Sequence, residues 1–153
     1  MTKKLKICLA ASAGGHLSQL LSVQEAWTGH DLVWVSTGEM VREKLRALGK
    51  TYIVGESNRR QLFKTLAVMG RCFGVVWKEK PHLVVSTGAA AGFWICLWGK
   101  LLGAKVIWLD SIANAERLSL SGRLIRPFAD LVLSQWPDVA AKYPNVEYRG
   151  EVI

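Results

Sequence analysis

Apolar residues fall into six short runs along the chain, at 5–10, 31–36, 51–55, 82–86, 105–109 and 131–135. The runs are dense in Val, Ile and Leu and do not alternate with polar residues, as expected of strands buried on both faces of a parallel sheet. Between them the apolar positions recur every three or four residues. That spacing predicts helices over 16–27 (Leu17, Leu20, Leu21, Trp27), 39–48, 61–78, 90–102 and 118–129, with a short helix at 137–143 and an extended piece at 145–149. Gly49 and Gly103 fall just beyond helices, where left-handed caps are expected. Strict strand–helix alternation predicts an α/β, Rossmann-like, doubly wound parallel sheet with right-handed crossovers. No linker or low-complexity segment interrupts it, so 1–153 reads as a single domain.

Composition agrees with a globular domain: 153 residues, of which 50% are hydrophobic and 21% charged. Cys8, Cys72 and Cys96 lie in apolar stretches without a CxxC pair, which points to a reducing compartment and to no structural zinc. Lys3, Lys4 and Lys6 lead into an apolar run too short for a signal peptide, and no transmembrane segment is expected.

Chemistry concentrates where strands end. "ASAGGHLSQL" follows the first strand, and Gly14, Gly15 and His16 stand at its join with the first helix. One glycine suffices for a tight turn. Two of them let a ligand approach the helix N-terminus, whose free N–H groups favour anions. His16 is then either a general base or donor toward a hydroxyl held over the turn, or a histidine that merely packs. The dinucleotide pattern GxGxxG and the P-loop pattern are both absent, and no cofactor is expected. "VSTG" recurs at 35–38 and 85–88, again at strand ends. Ser86, Thr87 and Gly88 suit a sugar or phosphate, though Ser and Thr are also ordinary helix caps.

The net charge of +8 is uneven. Residues 57–80 hold Arg59, Arg60, Lys64, Arg71, Lys78 and Lys80 against Glu79 alone. Lys64, Arg71 and Lys78 are seven apart and form one helical stripe. The remainder is largely apolar, with Phe63, Leu66, Met69, Phe73 and Trp77 among more hydrocarbon than one sheet-facing side requires. A helix lying in a membrane interface fits this pattern. Trp94 and Trp98, one turn apart in the next helix, suit the same boundary, or else a protein interface. Nucleic acid is not expected, because polar residues able to reach base edges do not accompany the cations.

After the fifth strand, Asp110, Ser111, Asn114, Glu116, Arg117, Ser119 and Ser121 cluster within twelve residues. A carboxylate with hydroxyls and an arginine can hold a sugar's hydroxyls and a phosphate. Ser119 can equally be a helix cap.

GGHLSQL, VVSTGAAAG, GKLLGAKVIWLDSIA, LSLSGRL and ADLVLSQWPDVAAKYPNVEYRG follow one another in the order of a known subunit. The chain resembles the acceptor-binding, membrane-associating subunit of split UDP-sugar-dependent glycosyltransferases of lipid-linked oligosaccharide and exopolysaccharide synthesis. More distantly it is similar to the N-terminal half of the N-acetylglucosaminyltransferase that makes lipid II. The resemblance implies one half of a GT-B enzyme, peripheral on the cytoplasmic face of a membrane. A separate donor-binding subunit is then expected, since this chain stops about where a second domain would begin. The acceptor would be a lipid-pyrophosphate saccharide, with Gly14, Gly15 and His16 on the family's Gly-Gly-His motif and Asp110-Ser111 on its acidic-Ser motif. His16 and Asp110 are thereby the candidate catalytic residues. Two other functions fit the residues: a non-catalytic anchor for the donor subunit, and a stand-alone nucleotide-binding enzyme.

Overall fold

A computed structural model describes residues 3–58 and 60–152; Arg59, counted above in the basic segment, lies outside the described residues. The elements follow in the order β1 (Lys6–Ala11), α1 (Gly15–Ser22), β2 (Asp31–Ser36), α2 (Arg42–Arg46), β3 (Lys50–Ile53), α3 (Leu62–Glu79), β4 (Leu83–Gly88), α4 (Ala89–Leu101), β5 (Lys105–Leu109), α5 (Leu120–Ile125), β6 (Leu131–Ser134), α6 (Pro137–Lys142) and β7 (Val146–Tyr148). All strand pairs are parallel, in the order β3-β2-β1-β4-β5-β6-β7. This is the Rossmann-like doubly wound sheet that the alternation predicts.

Strands buried on both sides produce two cores. On one face Val68, Cys72, Val75 and Val76 of α3, Ile95 and Cys96 of α4 and Ile125 of α5 pack on Cys8, Val84, Val106 and Trp108. On the other, Leu17 and Leu20 of α1 and Leu45 of α2 cover Ile7, Leu9, Trp34 and Val85. All three cysteines are free and buried, and burial pushes the Cys72 thiol up to about 12, so none is a ready nucleophile. Strand order reverses at β1, between β2 and β4. The loops leaving β1 and β4 therefore diverge to opposite faces and open a crevice at the strands' carboxyl ends.

Several boundaries differ from the sequence reading for identifiable reasons. The helix expected over 16–27 stops at Ser22 and continues as a 3₁₀ turn over Gln24–Trp27. Ser18 and Ser22 return their hydroxyls to the carbonyls four residues back, a bond that competes with helical continuity. The helix expected over 118–129 is only Leu120–Ile125: Ser119 caps it by accepting the Gly122 N–H at 2.9 Å, and Pro127 removes the donor needed to extend it. Gly103 has the positive φ of a left-handed cap, at 101°, but Gly49 does not. Gly49 is glycine because a β-carbon there would stand 2.7 Å from the Leu32 carbonyl.

The amino end of the sheet carries one charged cluster. Glu79, 5% exposed at the close of α3, receives Lys50 at 2.8 Å, Lys6 at 3.3 Å and the Tyr52 hydroxyl. Burial disfavours its charge, but these donors outweigh burial and hold the carboxyl down to about 2. The cluster joins α3 to β1 and β3, on the side away from the crevice.

Candidate active site

The crevice is built from two glycine turns that the topology brings face to face. Gly14 has φ 104° and directly precedes α1, so the N–H groups of its first turn point out of the helix without intrahelical acceptors. Gly88 has φ 139° and precedes α4 in the same way. Ala89, the first residue of α4, is itself held at φ 65°, a conformation an alanine adopts only when its surroundings impose it.

His16 crosses between the turns. Its Nδ1 lies 3.1 Å from the Thr87 carbonyl oxygen, and the Thr87 hydroxyl donates to the His16 carbonyl at 2.5 Å. A carbonyl only accepts, so Nδ1 carries the proton, and in the neutral ring Nε2 keeps the lone pair. The ring is half-buried and its tautomer is set by the backbone opposite. Gly88 makes this approach possible, because a β-carbon there would stand 2.6 Å from His16 Nδ1.

Ser86 and Thr87 are fully buried and serve the turn itself. The Ser86 hydroxyl accepts from the Gly88 N–H at 3.1 Å, in space left by Gly92. What faces the crevice is backbone and small residues. A cavity of about 180 Å³ is lined by Ser12, Thr37, Gly55, Glu56, Ser57 and Ala89–Ala91. Thr37, whose Oγ1 accepts from the Ala13 N–H at 3.0 Å, ties the first turn to the end of β2.

Asp110 is 2% exposed and spends its carboxylate on four donors. Oδ1 accepts from Trp108 Nε1 at 3.0 Å and Ser119 Oγ at 2.6 Å; Oδ2 accepts from the Ser119 N–H at 2.9 Å and Asn114 Nδ2 at 3.1 Å. Around this carboxylate the 110–119 loop is wound. Asn114, Arg117 and Ser119 line a separate depression of about 290 Å³ with Arg123, which shares no lining residue with the crevice. Glu116 is exposed, its carbonyl accepting from Lys142, and Ser121 is half-buried on α5.

Two glutamines that the sequence reading passed over connect these parts. Gln19 donates to Ser111 Oγ at 3.2 Å and accepts from the Ile112 N–H and from Gln135 Nε2. Gln135, buried at the end of β6, also donates to the Asp110 carbonyl at 3.0 Å and accepts from the Val152 N–H at 2.7 Å. Nothing local marks them, because their partners lie up to 116 residues away.

Beside the crevice stands α3. Leu62, Phe63, Leu66, Phe73 and Trp77 are exposed, with Phe63 at 86% and Trp77 at 58%, while Met69 is half-buried. Lys64, Arg71 and Lys78 border this face. Trp94 and Trp98 are half-buried in the α3–α4 seam: the Trp98 indole donates to the Met69 carbonyl at 3.1 Å and meets Phe73 edge-on at 5.1 Å. No helix among the described residues is long and apolar enough to cross a membrane.

A family profile described as "Oligosaccharide biosynthesis protein Alg14 like" matches residues 7–152. The chain is 34% identical over 106 residues to the "UDP-N-acetylglucosamine transferase subunit ALG14" of Yarrowia lipolytica, a match that spans 65% of this chain and 49% of that protein. It is 28% identical to the human protein of the same name, over 99% of this chain and 84% of that one. Among solved structures, MurG of Acinetobacter baumannii superposes with TM-score 0.75 at 19% identity, over 95% of this chain and 45% of MurG. A UDP-GlcNAc 2-epimerase of Methanocaldococcus jannaschii also matches, with TM-score 0.66 at 16% identity over 85% of this chain and 39% of the epimerase. The last two likenesses show a shared fold.

Proposed function

Since the chain belongs to the Alg14-like family of oligosaccharide biosynthesis proteins, we propose that it is the acceptor-binding, membrane-recruiting subunit of a heteromeric glycosyltransferase. The reaction moves a sugar from a UDP-sugar, held by a separate donor-binding subunit, to a lipid-pyrophosphate saccharide. The relatives' names, as subunits of a UDP-N-acetylglucosamine transferase, support a divided enzyme and a UDP-sugar donor.

The observation that carries the reading is His16, held between two glycine turns at the switch of the sheet with a lone pair on Nε2. In the proposed step an acceptor hydroxyl over the Gly14-Gly15 turn gives its proton to Nε2 as its oxygen bonds the sugar's anomeric carbon. The bond from that carbon to the UDP phosphate breaks, and UDP leaves with the electron pair on the donor subunit's side. The outward N–H groups of α1 and α4 favour negative charge near the acceptor. Asp110, Ser119 and Asn114 are positioning residues that hold the 110–119 loop. Gln19 and Gln135 transmit that order to α1. Phe63, Leu66, Phe73 and Trp77 sit in the interfacial layer of the cytoplasmic leaflet, with Lys64, Arg71 and Lys78 toward anionic headgroups.

The test is to purify the tagged chain from detergent-treated membranes and identify what accompanies it. A Rossmann-like protein that binds UDP-sugars is expected. His16→Ala should lower turnover of that complex by about 10²–10⁴-fold, the range of a general base, without loss of assembly. Full turnover in an intact complex would reduce the chain's part to anchoring.

A further inference from the structure

A lipid-pyrophosphate saccharide has three chemically distinct parts in line: sugar, charged diphosphate, hydrocarbon. Next to the crevice, small and polar, runs a groove of about 510 Å³ between Thr37, Gly38 and Met40 on one wall and Lys64, Ala67 and Arg71 of α3 on the other. Thr37 and Glu56 line both spaces, so crevice and groove are continuous. Beyond the groove, on the same helix, lies the exposed hydrocarbon of Phe63 and Leu66.

Polar space, cations and hydrocarbon thus occur in the order that such an acceptor requires. Lys64 and Arg71 are two helical turns apart, roughly 10 Å along the axis, and the side chains of α3 that line the groove between them are the small apolar Ala67 and Val68. Arg71 donates one Nη1 hydrogen to the Val54 carbonyl at 3.0 Å, which anchors the guanidinium at the exit of β3 and leaves its other N–H donors for an anion. Lys64 has no ion-pair partner among the described residues. Glu56, the carboxylate in this lining, is exposed and free to turn to solvent. Lys78 continues the stripe but lies outside the groove.

We infer that Lys64 and Arg71 bind the diphosphate of the lipid-linked acceptor in this groove, with the saccharide in the crevice and the lipid leaving along Phe63 and Leu66. The inference rests on the acceptor reading above.

The test uses the complex purified from membranes, with farnesyl diphosphate as probe and tryptophan fluorescence as readout. Lys64→Gln and Arg71→Gln should each weaken binding about tenfold, the value of one charge-assisted contact. Lys44→Gln should change it by less than about twofold, since Lys44 does not line the groove. Arg71→Lys, which keeps the charge, should recover part of the loss and so separate binding from damage to the Val54 turn. Equal losses in Lys44→Gln, or none in Lys64→Gln, would overturn the assignment. Inorganic pyrophosphate competing as tightly as farnesyl diphosphate would make the ligand a free diphosphate and overturn the lipid-linked part. Sugar transfer with an unchanged acceptor KM in Lys64→Gln would remove the subsite and leave the transferase reading intact. Lys64-dependent farnesyl diphosphate binding without sugar transfer would do the reverse.

Discussion

His16 and Gly88 share a space with no room for a further methyl group. A β-carbon at Gly88 would meet His16 Nδ1 at 2.6 Å, on a backbone whose φ of 139° already excludes most L-residues. Gly88→Ala should therefore cost about 1–3 kcal/mol of stability, measured by urea unfolding, and displace the imidazole. Under the proposed role of His16 as base, kcat of the purified complex should fall more than acceptor affinity does. A variant with unchanged stability and kcat would show that the contact between the turns is dispensable. At the same scale, the Ser86 and Thr87 hydroxyls, expected at the ligand, are bonded within and between the two turns, and the Asp110 carboxylate, expected to be catalytic, is bonded within its own loop.

Helix α3 has to satisfy two opposite demands. Its inner side, Val68, Cys72, Val75 and Val76, joins the core, and its outer side still carries Leu62, Phe63, Leu66, Phe73 and Trp77. Exposed hydrocarbon in a continuous strip needs a cover, and the proposed function supplies one in an anionic lipid surface that the bordering lysines and arginine would face. Phe63→Ser with Trp77→Ser should reduce co-sedimentation with phosphatidylglycerol-containing vesicles at least about tenfold, as each large side chain inserted contributes roughly 1.5–3 kcal/mol. Thermal stability should hardly change, since both side chains already face solvent. Undiminished sedimentation would assign this face to a protein partner instead. Trp94 and Trp98 belong less to that surface than to the seam behind it, where Trp98 bonds the Met69 carbonyl.

At the scale of the whole molecule the sheet separates two ends: the crevice at the carboxyl end and the Glu79 cluster at the amino end. Glu79 titrates near 2 in the folded chain, below its ordinary value of 4.5. Its contribution is therefore complete above about pH 4.5 and disappears as pH falls through about 2. Lys6 and Lys50 are partly exposed, so a contribution of about 2 kcal/mol at neutral pH is expected rather than the full value of the shift. Glu79→Gln should lower stability by that amount at pH 7, and the gap to the wild type should narrow between pH 4.5 and 2.5. A gap independent of pH in urea titrations would exclude the charge as its source.

The sequence alone determined the element order, the parallel sheet and the places where chemistry gathers. Each depends on neighbours in the chain: apolar runs long enough for buried strands, helical spacing between them, and glycines at strand exits. The basic edge of α3 was legible for the same reason, as a period of seven along one helix. Only the tertiary structure decided which groups meet. His16 and Thr87 are 71 residues apart, and Gln19 and Gln135 are 116 apart. Their contact depends on strand order and on how each loop leaves its strand, and no local period carries that information. Folding also decided the sidedness of α3. An excess of apolar residues on a helix does not say which of them the sheet will cover; packing against one sheet face and α4 does.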